Sequence, residues 1–205
     1  MRLSTRIPKI AALLISALLA FGSARQARAD FVVNGGFETG DFIGWTLNAG
    51  STFVTGPFDG FNPNSGNFFA ALGNVGGLGT LTQTIVDNPG QIDTLSLYLG
   101  SDGGTPNEFK IEFNGNVLYD QTNLPSTQGN ANAYNLLSFT VTATGNDTLT
   151  LSERNDPTYL ALDDVSLVPA STATPEPASL ALASLGAASL LGYAGLRRRK
   201  KVAVA

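Results

Sequence analysis

Segments in which apolar and polar residues alternate recur through the middle of this 205-residue chain, at intervals of about ten residues. Because successive side chains of a strand point to opposite faces of a sheet, each segment predicts a strand with one buried face. The pattern favours an all-β fold in which two antiparallel sheets pack as a β-sandwich over residues 30–170. The clearest predicted strands cover 95–99, 109–113, 138–143, 148–151 and 165–167.

Asn114-Gly115 predicts a tight turn between two of these strands. A two-residue loop would pair Phe113 with Asn116 and mix the two faces of the hairpin. We therefore expect a three-residue loop over 114–116, since a register slip of one residue would expose the core face. The predicted pairs are Phe113–Val117, Ile111–Tyr119 and a cross-strand ion pair Lys110–Asp120.

The chain contains no cysteine and no histidine. Disulfides, Cys/His zinc sites, Ser-His-Asp triads and Cys-His nucleophiles are therefore excluded. A glycosidase that uses a pair of carboxylates stays open, because it needs only Asp and Glu. A lone sandwich of this size more often binds than catalyses, so we expect a non-enzymatic protein.

The charge of the middle domain differs from that of the whole chain. Residues 30–170 hold fifteen acidic residues and only two basic ones, Lys110 and Arg154, a formal charge of −13 against −4 for the chain. Such a domain would repel nucleic acid and anionic lipid headgroups. It suits cations or neutral polymers, although an acidic surface also simply keeps a secreted domain soluble.

Residues 1–29 have the pattern of a cleaved signal peptide. Three basic residues in the first nine positions precede the apolar segment 10–22, and Ala27-Arg28-Ala29 forms an A-x-A-type cleavage site. We expect the mature protein to begin at Asp30. A cut after Ala24 and a permanent N-terminal anchor are the alternatives.

The C-terminal end has three parts. Residues 171–177 form an exposed linker that ends in Pro175-Glu176-Pro177, and the uncharged run 178–196 follows. Nineteen helical residues reach about 28 Å, enough to cross the hydrocarbon core of a membrane, so 178–196 predicts a transmembrane helix. Residues 197–205 predict a cytoplasmic tail held there by its basic cluster, Arg197, Arg198, Arg199, Lys200 and Lys201.

These three parts, in this order, resemble the PEP-CTERM protein-sorting signal of Gram-negative, exopolysaccharide-producing bacteria, over about residues 175–201. The resemblance implies that an exosortase-type membrane protease recognises the motif Pro175, Glu176 and Pro177. It also implies an intermediate anchored in the inner membrane by 178–196, followed by delivery to the cell surface or extracellular matrix.

A second resemblance rests on the two ends of the domain. The segments 34–38 (N-G-G-F-E), 44–45 (G-W) and 161–167 (A-L-D-D-V-S-L) resemble the ends of carbohydrate-binding-module and galactose-binding-like jelly rolls. The resemblance implies a jelly-roll-like sandwich whose first and last strands are neighbours. It also implies a structural Ca²⁺ where the two ends meet.

Calcium takes hard oxygen ligands, which carboxylates and backbone carbonyls supply. Alternation places Asp163 on the same side as Val165, facing the core, and the domain has no spare Lys or Arg to balance it. We therefore expect Glu38 and Asp163 as side-chain ligands, with a backbone oxygen of Asn34 or Phe37. Alternatively, both acids are solvated at strand ends or cap a turn.

A sugar-binding function needs exposed aromatic rings and hydrogen-bonding groups. Trp45, the only tryptophan, is expected in the core, which leaves Tyr98, Tyr134 and Tyr159 as exposed candidates or as scattered surface tyrosines. We expect a cell-surface or extracellular-matrix protein associated with exopolysaccharide or biofilm. The alternative is a dedicated glycan-binding module that recognises exopolysaccharide.

Overall fold

A computed structural model describes residues 29–129, 133–170 and 186. The predicted signal peptide, apart from Ala29, lies outside the described residues. So do the linker 171–177, the span 178–196 except Gly186, and the tail 197–205. Within the described part of the chain, no helix has the length and apolar character needed to cross a membrane.

The described residues form ten β-strands. Their bounds are β1 Thr46–Asn48, β2 Phe53–Thr55, β3 Phe69–Leu72, β4 Gly79–Ile85, β5 Ile92–Ser101, β6 Asn107–Phe113, β7 Asn116–Thr122, β8 Asn135–Thr142, β9 Asp147–Asn155 and β10 Leu160–Pro169. Each predicted strand coincides with one of them or lies largely within it.

The ten strands build two five-stranded sheets. The first has the order β1-β4-β9-β6-β7 and the second the order β2-β3-β10-β5-β8. Every pairing in both sheets is antiparallel. The predicted all-β, jelly-roll-like antiparallel sandwich is confirmed.

The main core lies between the two sheets. Alternate residues of the long strands supply it, as the leucines of β5 show, since Leu95, Leu97 and Leu99 are buried and the residues between them are half-buried. Trp45 belongs to this core with 8% of its surface exposed, as expected, and its Nε1 donates to the carbonyl oxygen of Asn34 over 3.3 Å.

The β6–β7 hairpin differs from its predicted register at the turn. Phe113 pairs with Asn116, so the predicted pair Phe113–Val117 is wrong and the loop has two residues. Asn114 and Gly115 both have positive φ angles, 52° and 74°, which is the geometry of a tight two-residue hairpin turn.

A bulge in β7 restores the predicted pairing of the hairpin beyond this two-residue turn. Glu112 pairs with Val117 but Ile111 pairs with Tyr119, so β7 carries one extra residue. The predicted pairs Ile111–Tyr119 and Lys110–Asp120 are therefore confirmed. The predicted ion pair is not formed, because Lys110 Nζ lies 3.1 Å from Glu112 Oε1 on its own strand.

A second bulge lies in β10 and changes the predicted direction of Asp163. Asp163 pairs with Tyr98 while Ser166 pairs with Ser96, so β10 has one extra residue, and Asp164 has a φ of 50°. Leu162 and Val165 consequently both face the main core, although they are three residues apart. The expectation that Asp163 shares a face with Val165 is wrong, because the bulge reverses the alternation between them.

Candidate functional site

The loop 56–68 covers part of the outer face of the second sheet. Phe61 of this loop is buried in a small second core that includes Phe69, Ala71, Tyr134 and Ala161. A Cβ at Gly100 of β5 would lie 2.6 Å from the Phe61 ring, so glycine is what allows that ring to lie on the strand.

Asp163 of β10 binds this loop through backbone hydrogen bonds. Its side chain is fully buried, and its Oδ2 accepts hydrogen bonds from the backbone N–H groups of Asn64 over 2.7 Å and Ser65 over 3.3 Å. The neighbouring Asp164 accepts from the Asn64 Nδ2 and Ser65 Oγ, each over 2.7 Å. The two aspartates thereby fix the middle of the loop to β10.

Glu38 holds the end of the same loop. Its carboxylate accepts from the backbone N–H of Asn67 over 2.8 Å and from that of Phe68 over 3.0 Å. A Cβ at Gly36 would lie within 4 Å of side-chain atoms of Glu38, Asp163 and Asp164. The fold thus brings together the two predicted calcium ligands, Glu38 and Asp163, at the junction of the domain's two ends.

The electrostatics of the two acids differ because one is buried and the other exposed. Burial raises the pKa of Asp163 to about 7, with a further contribution from the charge of Asp164. The hydrogen bonds from the N–H groups of Phe68 and Asn67 lower the pKa of Glu38. Within residues 29–129 and 133–170, no three acidic side chains converge as a ready-made metal cage.

The predicted backbone ligands belong to a neighbouring turn. The carbonyl oxygen of Asn34 accepts from the N–H of Phe37 over 3.2 Å as well as from Trp45. That of Phe37 accepts from the N–H of Gly40 over 2.9 Å. Both residues have positive φ angles, and the Asn34 side chain donates to the Asp41 and Ile43 carbonyls. The carbonyl oxygens of Asn34 and Phe37 therefore already accept hydrogen bonds within the turn 34–45.

The three predicted tyrosines lie in three different environments. Tyr134 is only 7% exposed and its hydroxyl donates to the Asn62 carbonyl over 2.9 Å, so its expected exposure is wrong. Tyr98 is half-buried against the second core. Tyr159 is half-buried between Phe53 and Phe58, with ring centroids 5.3 and 5.2 Å away in edge-on contacts.

A cavity of about 150 Å³ lies on another side of the sandwich. It opens between β7 and β8, which are edge strands of the first and second sheet. Its lining includes one aromatic ring, three side-chain amides and three leucines: Tyr119, Gln121, Asn123, Asn135, Leu99, Leu124 and Leu137. An aromatic ring beside amides is the combination that the sequence suggested for sugars, but at different residues.

Sequence reasoning missed this cavity for a topological reason. It placed Tyr119 opposite Ile111 and gave it no further role. The ring is half-buried 6.5 Å from that of Phe109, and burial raises the pKa of its hydroxyl. Only the strand order reveals that β7, an edge strand of the first sheet, lies beside β8, an edge strand of the second. The nearest sequence signal is the polar segment 121–123, Q-T-N, all three residues of which line the cavity.

Comparison with known protein families identifies the C-terminal segment. Residues 173–200 match a family model described as the PEP-CTERM protein-sorting motif. The chain carries a PEP-CTERM motif. The predicted resemblance over 175–201 is confirmed, and the motif indicates an exported protein that an exosortase sorts.

Comparison with solved structures identifies the fold of the described domain. The structure of TmCBM61 in complex with β-1,4-galactotriose matches with a TM-score of 0.52 and 16% identity, over 69% of this chain and 99% of that one. The CBM22-1–CBM22-2 tandem domain of Paenibacillus barcinonensis Xyn10C matches with a TM-score of 0.50 and 17% identity, over 77% of this chain and 50% of that one. These likenesses confirm the jelly-roll fold of carbohydrate-binding modules. A search of the curated proteins found no match.

Proposed function

We propose that this PEP-CTERM protein is a non-enzymatic cell-surface or matrix protein whose β-sandwich binds a neutral exopolysaccharide. The observation that carries the binding half of the proposal is the cavity between β7 and β8. It presents the Tyr119 ring beside the amides of Gln121 and Asn135. Such groups hold a sugar by contact with its apolar face and by hydrogen bonds to its hydroxyls.

The charge of the domain supports a neutral ligand. With a formal charge of −13 over residues 30–170, the domain would repel an anionic polysaccharide. The solved relative TmCBM61 holds β-1,4-galactotriose, a neutral oligosaccharide, on the same fold. We infer neutral, β-linked glycans as the class to test first.

A glycan array with the full-length protein in mild detergent tests the binding. We expect saturable binding that Gln121→Ala and Asn135→Ala each weaken about tenfold, because each removes hydrogen bonds to the sugar. Both side chains are exposed, so the fold should tolerate their removal. Asn116→Ala is the matched control, an exposed amide at the other end of β7.

Absence of saturable binding to any neutral glycan would contradict this function. It would favour the second candidate, a structural matrix component that acts through bulk surface or self-association. Equal weakening by Asn116→Ala and Gln121→Ala would leave glycan binding standing but remove the cavity as its site.

We further propose that an exosortase-type protease cleaves at Pro175-Glu176-Pro177 after the predicted span 178–196 has anchored the protein in the inner membrane. Replacing the three residues with alanines should leave a full-length protein in the inner-membrane fraction, detected by immunoblot. A variant with Thr172 and Thr174 replaced by alanines is the control. Continued release of a shortened form from the first variant would contradict cleavage at this motif.

We also propose a structural Ca²⁺ on Glu38 and Asp163. In support, Asp163 is a fully buried carboxylate, and Lys110 and Arg154 pair elsewhere, with Glu112 and Asp156. A bound cation would balance this charge and fasten the loop 56–68 to the sandwich. Glu38→Gln should then weaken calcium binding measured by titration calorimetry, whereas Glu108→Gln, on β6, should not. Identical calcium binding by both variants would contradict the site.

A further inference from the structure

Three strands carry an aspartate where their core-facing stripes reach one end of the sandwich. Asp93 begins the stripe of β5 ahead of Leu95, and Asp147 begins that of β9 ahead of Leu149. Asp87 continues the stripe of β4 two residues beyond Ile85. All three side chains are buried, with 0% exposure for Asp93 and Asp147 and 9% for Asp87. The end of the sandwich interior is therefore lined with carboxyl groups where a leucine would be ordinary.

These carboxyl groups have fewer partners than their burial demands. Asp87 Oδ1 accepts from the N–H of Gly145 over 3.0 Å, and Asp93 Oδ1 accepts from Gln91 Nε2 over 2.6 Å. The Oδ2 atoms of both aspartates are buried and accept no hydrogen bond from any donor among the described residues. A buried polar atom left in this way costs free energy that a bound ligand would recover.

The carboxyl groups also face each other. One turn holds two of them side by side, since the N–H of Thr144 donates to Asp147 over 2.9 Å and the N–H of the next residue, Gly145, donates to Asp87 Oδ1 over 3.0 Å. Two carboxyl groups in contact need a proton or a cation between them.

Three hydrogen-bond donors hold the carboxylate of Asp147 in place. Its carboxylate accepts hydrogen bonds from Asn114 Nδ2 over 2.5 Å and from the Thr144 N–H over 2.9 Å, and from the hydroxyl of Thr144. These donors lower the pKa of Asp147 against the effect of burial. Two connections, the β6–β7 turn and the segment 143–146, therefore position this carboxylate toward Asp87.

Neither basic residue of the domain forms an ion pair with an aspartate of this cluster. Among the described residues, Lys110 pairs with Glu112 and Arg154 with Asp156, over 3.1 and 2.6 Å. The cluster also lies apart from the proposed calcium ligand Asp163, because Asp163 pairs with Tyr98, five residues along β5 from Asp93. At strand spacing this is roughly 17 Å.

We propose that Asp87 and Asp147 bind a hard divalent cation such as Ca²⁺ at this end of the sandwich, with Asp93 contributing the third negative charge. Carboxylate oxygens and water suit such an ion. The cation would tie the segment 86–93 to the start of β9. This site is independent of the glycan cavity and of Glu38 and Asp163.

Titration calorimetry of the full-length protein with CaCl₂ at pH 7.5 tests the proposal, with MgCl₂ as a comparison and EDTA treatment beforehand. We expect Asp87→Asn to remove one binding event, whereas Asp59→Asn, an exposed residue, removes none. The asparagine keeps the size of the side chain and relieves the repulsion with Asp147, so folding should be preserved. Unchanged stoichiometry and affinity in Asp87→Asn would overturn the proposal.

Thermal unfolding separates this site from the one at Glu38 and Asp163. In an Asp163→Asn background, calcium at about 100 times its Kd should still raise Tm by about 5 °C, and adding Asp87→Asn should abolish that rise. If Asp163→Asn alone abolishes the whole response, the proposal fails and the first calcium site stands. If calcium binding needs Asp87 but not Glu38 or Asp163, this site stands and the first fails.

Discussion

Buried aspartates lie at two places in the same sandwich and are stabilised differently. At the junction of the domain's two ends, Asp163 accepts three backbone hydrogen bonds, from Asn64, Ser65 and Asp164. At the end of the sandwich, Asp87 and Asp93 each keep an oxygen without a described donor. The difference teaches that N–H groups let a buried carboxylate organise a loop with or without a bound cation, whereas facing carboxyl groups need a proton or a cation.

Of the changes considered, Asp163→Ala should have the largest effect on the free energy of unfolding. It would leave the N–H groups of Asn64 and Ser65 without their acceptor beneath the loop 56–68, so we expect a loss of about 3 kcal/mol in the free energy of unfolding. Urea denaturation at pH 7.5 measures it, with the exposed Asp59→Ala as control. A loss no larger than that of the control would show that the loop does not depend on Asp163.

The pH dependence of stability should come next in size. The pKa values of Asp163, about 7, and Asp87, about 6, are both raised above the value of about 4 in the unfolded chain. The folded protein therefore holds protons that the unfolded chain has released, and stability falls as the pH rises through these values. In EDTA we expect the free energy of unfolding to fall by about 2 kcal/mol between pH 6 and pH 8.

Two variants separate the contributions of Asp87 and Asp163 to this fall in stability. Asp87→Asn should remove the part of the fall that levels off shortly above pH 6, and Asp163→Asn the part that continues to about pH 7. A stability that rises over this range in EDTA would contradict the pKa assignment of both groups.

The smallest effect should be a gain in stability. In EDTA at pH 7.5, Asp87→Asn should raise the free energy of unfolding by about 1 kcal/mol, because an amide can donate to Asp147 where a second carboxylate repels it. With saturating calcium the sign should reverse, since the variant loses the proposed ligand. Equal behaviour with and without calcium would remove the contrast between the two groups of aspartates.

Much of the fold was predictable because alternation is a local property of strands. The segments 95–99 and 109–113 lie within β5 and β6, and the leucines of β5 face the core as expected. The hairpin was predictable in part. Asn114-Gly115 marks the position of the turn, but the predicted three-residue loop was wrong, because the extra residue in β7 depends on how both strands pack against the core.

The candidate sites were less predictable, since they depend on which segments meet. Glu38 and Asp163 were expected to lie together and do, although the bulge at Asp164 turns Asp163 away from the main core. The aspartates of the second cluster stand at similar local patterns, D-T-L-S-L at 93–97 and D-T-L-T-L at 147–151. These local patterns do not predict that Asp147 lies beside Asp87 in the fold.

The sequence by itself determined the sorting motif at 173–200, the acidic and cysteine-free composition of the domain and the alternation that makes its strands. Each of these depends on residues that are neighbours in the chain. The tertiary structure alone decided the bulges, the burial of Tyr134, the cavity beside Tyr119 and the meeting of Asp87 with Asp147. Those features arise between strands that are distant in sequence, where sheet order and packing choose the partners.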